Sequence, residues 1–270
     1  MINRFNAKIN EVSKLNHATE ALQQFKCLCK NKLGNNLIGV YLHGSLAMDC
    51  YNRTYSDIDL LVIIHHNLTS HDKRQFISEI INIENNLDVR IEMSILLQES
   101  LFPLQYPIAF ELHYSKDHRA RYHRDASYLC ENGKDDDLAA HIVVTHERGK
   151  VLYGEAITSV FPDIDRKMYL ASIRNDVADA SNNIIYFPVY YCLNLCRVDY
   201  FMKENKVTSK KEAGEWALKH LPARFHHCIE LALDVYISEI ELETKWDQKQ
   251  LTAFANTMLE AINRNIREKK

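Results

Sequence analysis

GVYLHGSLAMDCYNRTYSDIDLLVII, residues Gly39 to Ile64, decides the reading of this chain. It reads as a strand, a Gly44-Ser45 turn, a polar connection, and a second strand that carries Asp57 and Asp59. Side chains two apart share a strand face, so the two aspartates point the same way. Two neighbouring carboxylates repel each other unless a cation sits between them. Oxygen donors without thiolate or imidazole suit Mg²⁺, which typically takes one or two carboxylates plus substrate phosphates. In the turn upstream, a glycine backbone without a Cβ can approach a phosphate closely. Ile58, Leu60, Leu61, Val62 and Ile63 make the second run a buried strand with charges at its working end. The plainer alternative is an edge strand with two solvated aspartates. The Gly-Ser turn in front, following an apolar strand, argues against it.

Outward from this stretch, the composition bounds the answer. The chain has 270 residues, enough for one large or two modest domains, and its 46% hydrophobic and 26% charged content is that of a globular protein. A net charge of −3 leaves no strong electrostatic footprint for a nucleic-acid polyanion, which argues against a polymerase-like substrate. No apolar run reaches the roughly 18 residues of a membrane span. The opening MINRFNAKINEVSK has no apolar signal region. Seven cysteines without framework spacing suggest reduced thiols, so a cytoplasmic location is expected. Only seven glycines and five prolines indicate much regular structure.

Upstream, Val12, Leu15, Ala18, Leu22 and Phe25 recur at helical spacing, predicting an amphipathic helix from about Ile9 to Leu33 that Gly34 ends. Downstream, His71 to Asn86 reads as a second helix, packing Phe76, Ile80 and Ile83. Val89 to Leu96, VRIEMSIL, alternates as a half-buried strand. Glu92 lies within it. A strand glutamate is usually a solvated outer-face residue; beside the aspartate strand it is also a candidate third carboxylate, as metal ligand or as general base for a hydroxyl. Phe102 to Arg124 reads as aromatic and irregular, since Pro103 and Pro107 oppose a continuous helix before Phe110. Tyr106, Phe110, Tyr114 and His118 fit a substrate-stacking pocket or a core layer equally well. Asp135-Asp136-Asp137 precedes an apolar helix, where acids serve as cap and dipole partners more simply than as a second metal site.

A boundary falls near Glu155–Ile164, giving domains 1–157 and 158–270, and beyond it the chain reads as helix after helix. Helices are predicted over Met168–Asn183, Val189–Glu204, Ser209–Lys219, Ala223–Glu243 and Asp247–Arg267, with Arg267–Lys270 a frayed basic terminus. Ser209 and Glu212 form a capping box. Lys210 and Lys211 follow in the first turn, where the macrodipole disfavours positive charge by a few tenths of a kcal/mol. They read as solvated lysines, or as partners of a helix N-terminus facing a polyphosphate. Arg197 likewise reads as a snorkelling core-edge residue or a phosphate fork. Cys192 and Cys196, four apart on a helix, read as core. The pairs His65-His66 and His226-His227 read as surface or capping residues. No Walker A, GxGxxG, HExxH or paired CxxC motif is present.

HGSLAMDCYNRTYSDIDLLV resembles the signature of the nucleotidyltransferase (DNA polymerase β-like) superfamily, in which an apolar-Gly-Ser turn precedes Asp-x-Asp. YYCLNLCRVDYFMKENKVTSKKEAGEWALKHLP followed by LALDVY resembles the helical C-terminal domain of the aminoglycoside (3″)(9) adenylyltransferases, and the similarity spans roughly Ile38 to Tyr236. The resemblance implies an α+β fold: an N-terminal nucleotidyltransferase domain with a mixed β-sheet and flanking helices, then an all-α helical bundle, with ATP and substrate in the cleft between them. It implies two Mg²⁺ ions held by Asp57, Asp59 and Glu92, with Glu92 also the catalytic base. Gly44, Ser45, Ser56, Arg197, Lys210 and Tyr236 would contact the nucleotide, and Glu92, Tyr114 and Asn183 the acceptor.

The implied reaction moves AMP from ATP to a hydroxyl of an aminoglycoside-type antibiotic such as streptomycin or spectinomycin, releasing pyrophosphate and conferring resistance. A monomer without membrane or nucleic-acid partners is expected. The alternatives are a nucleotidyltransferase for another hydroxyl, of a lincosamide or a protein, and a non-catalytic nucleotide- or partner-binding module. The family's drug-stacking tryptophan is absent, since His113 to His118 occupy that segment. Asn183, Phe187 and Tyr190 stand in the region of the family's acidic drug contacts.

Overall fold

A computed structural model describes the backbone of residues 2–238 and 244–268 and the side chains of residues 16–238 and 244–265. The chain divides into two compact units. The first comprises Met1–Asp135 and Arg148–Asp163, the second Asp136–Glu147 and Ile164–Lys270. No helix among the described residues is long and apolar enough to cross a membrane.

In chain order the first unit contains α1 (Ile2–Leu33), β1 (Leu37–His43), α2 (Gly44–Ala47), β2 (Ile58–Ile64), α3 (Ser70–Leu87), β3 (Ile91–Leu97), β4 (Ile108–Tyr114), α4 (Lys116–Arg124) and β5 (Glu131–Asp135). The second unit contributes α5 (Leu138–Arg148), and the chain then returns to the first for β6 (Lys150–Gly154) and α6 (Ile157–Val160). The strands form one six-stranded mixed sheet in the order β5-β4-β3-β2-β1-β6. Only β2 and β3 pair in parallel. The parallel pair needs a crossover, and α3 supplies it. Thr69 caps α3 by accepting from the Asp72 amide, and Phe76, Ile80 and Ile83 are buried as expected. Val12 and Leu15 of the predicted first helix lie outside the described side chains; Ala18 and Phe25 are buried.

Burial along the central strands is nearly complete. All seven residues of β1 are buried, and in β2 every residue but Asp59. In β3, only Glu92 and the terminal Leu97 are not fully buried. Strands covered on both faces bury their whole apolar run, as the sequence pattern implied.

Two elements correct the expected irregular stretch from Phe102 to Arg124, which forms β4 and α4. The alternation in β4 was hidden because its polar positions are themselves buried. Glu111 pairs with Lys73 at 2.8 Å, and His113 shares a 2.9 Å hydrogen bond with Ser94.

The second unit is helical: α5, α7 (Arg166–Asn175), α8 (Ala180–Asn183), α9 (Pro188–Glu204), α10 (Lys210–His220), α11 (His226–Ile237) and α12 (Gln248–Glu268). Helix α9 packs against α7, α8, α10, α11 and α12 and is apolar on most sides, the pattern of a buried central helix. Cys192 and Cys196 are fully buried in it. The predicted helix over Met168–Asn183 is broken, because Val177 and Ala178 donate to carbonyls three residues back, forming a turn between α7 and α8. Residues 239–243 of the helix predicted to reach Glu243, and the final 269–270, lie outside the described residues.

Candidate active site

In the first unit the site is assembled by strand register. The antiparallel β1–β2 pair sets His43 opposite Asp59, and the parallel β2–β3 pair sets Asp59 beside Glu92. Asp59 and Glu92, the half-exposed acids of two otherwise buried strands, are therefore neighbours on one face. Like charges directly opposite in a ladder are destabilising. A cation placed between two such carboxylates would be favourable.

The chain leaves β1 through Gly44, whose φ of +65° belongs to the left-handed region that glycine adopts freely. A Cβ there would lie 1.7 Å from Asp59 Oδ2. No other residue lets the turn pass this close to the carboxylate. The turn is closed by the Met48 amide on the Gly44 carbonyl at 3.2 Å and the Cys50 amide on the Ser45 carbonyl at 3.0 Å. Ser45 Oγ is buried without a hydrogen-bond partner, and so is the Tyr51 hydroxyl. Burial raises the Tyr51 phenol to about 12; Asp57 and Asp59 push it the same way, while Arg90 and Arg53 oppose them.

Asp57 behaves differently from Asp59. Its Oδ1 accepts from Arg90 Nε at 2.7 Å, and its Oδ2 lies 3.9 Å from Lys116 Nζ. Arg90 also donates to the Ser56 carbonyl at 2.8 Å. Among the described residues no three His, Cys, Asp or Glu side chains are gathered to hold a metal. Of the three acids expected to hold metal, Asp57 has one oxygen, Oδ1, engaged by Arg90. The residues still fit Mg²⁺. Asp59 and Glu92 would supply two adjacent carboxylates, and the ion's remaining ligands would come from phosphates. The orphaned Ser45 hydroxyl and the close backbone at Gly44 provide a cradle for an anionic oxygen. Ser56 is buried and accepts from the Asn52 amide at 3.2 Å, which fixes the turn before β2.

Tyr114, expected to face the acceptor, is fully buried, and this is a second correction. Its hydroxyl donates to Glu84 Oε2 at 2.5 Å, while Glu84 Oε1 accepts from the Ile91 amide at 2.8 Å. Tyr114 therefore supports the start of β3, between Arg90 and Glu92, and lines no accessible surface. Burial and the Glu84 carboxylate both push its phenol strongly upward, so it keeps its proton.

In the second unit Arg197 lies on α9, Lys210 at the start of α10 and Tyr236, 4% exposed, on α11. Arg197 donates to Asn194 Oδ1 at 3.1 Å and lines a recess with Tyr169, Asp176, Lys206 and Thr208. Lys210 Nζ lies 5.0 Å from the centre of the Tyr190 ring, whereas Lys211 reaches Glu215 on its own helix at 4.0 Å. Packing, then Asp176 and Asp137, push the Tyr190 phenol upward, and Arg197 pulls it down. Tyr190 thus links the surroundings of Arg197 and Lys210. The capping box is present: Ser209 Oγ accepts from the Glu212 amide at 3.1 Å and Glu212 accepts from the Ser209 amide at 2.8 Å. Asn183 donates to Asp179 Oδ2 at 2.6 Å, and Asp179 also accepts from the Tyr191 hydroxyl at 2.8 Å. A carboxylate therefore stands one turn before Asn183.

The sequence reading passed over Arg90 and Tyr51. Arg90 carried a usable signal, since it precedes Glu92 by the same two residues that separate Asp57 from Asp59.

Comparison with known proteins agrees with this architecture. Residues 23–109 match the Polymerase beta, Nucleotidyltransferase family, and residues 159–261 match the Aminoglycoside adenylyltransferase, C-terminal domain family. The chain is 25% identical over 233 residues to a spectinomycin 9-adenylyltransferase of Staphylococcus aureus, covering 84% of this chain and 87% of the relative. It is 25% identical over 228 residues to an aminoglycoside (3″)(9) adenylyltransferase of Escherichia coli, covering 78% and 83%. A solved spectinomycin adenyltransferase from Enterococcus, crystallised with ATP and spectinomycin, superposes with a TM-score of 0.79 at 24% identity, covering 91% of this chain and 99% of that one. The expected fold class, a nucleotidyltransferase domain followed by a helical domain, is borne out.

Proposed function

We propose, from its similarity to the aminoglycoside adenylyltransferases and to the nucleotidyltransferase family, that this chain transfers AMP from ATP to a hydroxyl of an aminoglycoside-type acceptor. The observation that carries the reading is the Asp59–Glu92 pairing, two half-exposed acids side by side against the Gly44 turn. Relatives named as adenylyltransferases of spectinomycin and aminoglycosides, and a similar fold solved with ATP and spectinomycin, support the choice of nucleotide and acceptor.

In the reaction the acceptor oxygen attacks the α-phosphorus of ATP. A bond forms from oxygen to phosphorus, the bond to the β-phosphate oxygen breaks, and pyrophosphate leaves with that electron pair. Glu92 takes the proton of the attacking hydroxyl as general base. Asp57, Asp59 and Glu92 would hold the two Mg²⁺ ions that the resemblance implies. When bound, such ions neutralise charge on the triphosphate and favour the attacking oxygen as an anion. Gly44 and Ser45 present backbone and hydroxyl to phosphate oxygens, and Ser56 keeps the turn before β2 in shape. Arg197, Lys210 and Tyr236 are the proposed nucleotide contacts of the second unit, and Asn183 its acceptor contact. The boundary between domains is proposed after Asp163, later than the expected 157/158, so that α6 stays with the sheet. Transfer of AMP to a drug hydroxyl removes a hydrogen-bond donor and adds a phosphate charge, so the modified drug loses its target.

The test is ATP labelled at the α-phosphate, incubated with Mg²⁺ and, separately, streptomycin, spectinomycin, lincomycin and bulk protein. Label on streptomycin or spectinomycin is the expected result. Label on lincomycin or protein reassigns the acceptor, and no transfer to any of them favours a nucleotide-binding module.

A further inference from the structure

Arg90 and Glu92 are two apart, as are Asp57 and Asp59, and the parallel ladder sets Ile58 beside Ile91. The four charged residues consequently fall into two neighbouring pairs. Asp59 stands beside Glu92, like charge against like; Asp57 stands beside Arg90, opposite against opposite. Three bonds tie Arg90 to the turn before β2. Its Nε donates to Asp57 Oδ1 at 2.7 Å, its Nη2 donates to the Ser56 carbonyl at 2.8 Å, and its own carbonyl accepts from the Ile58 amide at 2.8 Å. A planar guanidinium spans carboxylate and carbonyl together, which an ammonium cannot do. The side chains of Asp57 and Arg90 are 14% and 32% exposed, so water screens the pair only in part. Lys116, the other cation near Asp57, is 63% exposed and can move aside.

We propose that Arg90 is a built-in counter-cation that keeps the affinity of the Asp57–Asp59–Glu92 group for a free divalent cation low and thereby couples metal uptake to nucleotide binding. The proposal rests on the adenylyl-transfer reading for the presence of a divalent cation at Asp59. The paired Asp59 and Glu92 carboxylates attract a divalent ion; the guanidinium beside Asp57 repels it and occupies lone pairs on Asp57 Oδ1. An arriving triphosphate adds several negative charges and further oxygen ligands, which outweigh one fixed positive charge. The free protein then binds the metal weakly, and metal and nucleotide bind together. Arg90 acts through Asp57 and is a positioning residue.

The experiment measures binding of Mn²⁺, as a probe for Mg²⁺, to the whole protein by electron paramagnetic resonance, without nucleotide and with a non-hydrolysable ATP analogue. Removing a unit charge a few ångströms from the ion should tighten free-ion binding in Arg90→Gln by about tenfold or more. Affinity in the presence of the analogue should change less, so the gain conferred by nucleotide shrinks. Arg90→Lys keeps the charge without the fork and should bind the free ion within about threefold of wild type. A purely structural role predicts weaker free-ion binding in Arg90→Gln. That result, or an unchanged affinity, overturns the proposal. If the glutamine variant fails to fold, Arg90→Met, which keeps the stem and drops the charge, carries the same expectation. Asp59→Asn separates the two readings: if it binds Mn²⁺ as wild type does, the metal site itself is wrong. If it loses the ion while Arg90→Gln matches wild type, only the role of Arg90 fails.

Discussion

In the sheet unit, Asp59 and Glu92 are neighbours because two parallel strands share a register, and a slip of one residue in either strand would turn its acid to the other face. In the helical unit, Arg197, Lys210 and Tyr236 come from three helices, and their placement depends on packing around α9 and on the cap of α10. A group fixed by register sits in a frame that a single side-chain change barely alters. A group fixed by packing shifts with its supports. Substitutions in the sheet should therefore alter chemistry without altering stability, and substitutions in the helical unit should alter affinity, some of them through stability.

The largest effect is expected at Asp59. Asp59→Asn removes one of the carboxylates proposed to hold the metal, so Mg²⁺-dependent nucleotide binding and turnover should be lost. The melting temperature should hold or rise, since the change relieves like-charge repulsion across the ladder. Calorimetric titration with Mg·ATP and a thermal melt on the same sample check both halves. Full turnover in the variant would end the metal reading, and a large drop in melting temperature would break the contrast between frame and chemistry.

Glu92→Gln comes next. The amide keeps shape and hydrogen bonding but cannot accept the proton, and loss of a general base typically costs about 10²–10⁴ in rate. Nucleotide affinity should fall less than in Asp59→Asn, because Asp57 and Asp59 remain and the glutamine oxygen can still meet the ion. A parallel fall in affinity and rate would make Glu92 chiefly a metal ligand, and turnover within about twofold of wild type would remove it from the mechanism.

How far these residues could be read from the sequence follows the same division. The shared face of Asp57 and Asp59 was legible through strand parity, which is a short-range property, and Glu92 through its alternating strand. The neighbours of Asp57 did not, because Arg90 and Lys116 meet it across strands and loops, 33 and 59 positions away in sequence. Strands β5 and β6 were not expected either. They are the two edges of the sheet, and ENGKD and KVLYG are too polar or too short to carry an apolar alternation. Tyr114 was ambiguous between pocket and core because an aromatic residue serves both; the buried Glu84 that binds its hydroxyl resolved it. In the helical unit, the capping box was legible since its signal is local, while the break between α7 and α8 was not.

Lys210→Ala tests the helical side directly. Charge-assisted hydrogen bonds contribute about 1.5–3 kcal/mol, so a phosphate contact should cost roughly 10- to 100-fold in nucleotide affinity. Lys211→Ala, whose ammonium faces Glu215 on the same helix, should change affinity little. Equal effects in the two variants would mean that general surface charge is at work.

The smallest effect should come from Ser209→Ala, and it decides whether the helical site depends on its supports. Ser209 is 1% exposed, and its hydroxyl accepts from the Glu212 amide at 3.1 Å. Loss of an N-cap side chain typically costs about 0.5–2 kcal/mol. Glu212 also accepts from the Thr208 hydroxyl at 3.1 Å, so part of the box survives and the cost should fall near the middle of that range. A urea melt read by circular dichroism measures it. The cap holds the first turn of α10, where Lys210 sits, so nucleotide affinity should fall modestly and by less than in Lys210→Ala. Ser209→Asp restores an acceptor at the cap and should recover stability. If Ser209→Ala lowers affinity as far as Lys210→Ala while stability is unchanged, the hydroxyl itself meets the nucleotide, and the contrast between contact and support fails at this helix. If stability falls and affinity holds, Lys210 is placed by packing against Tyr190 more than by the cap that precedes it.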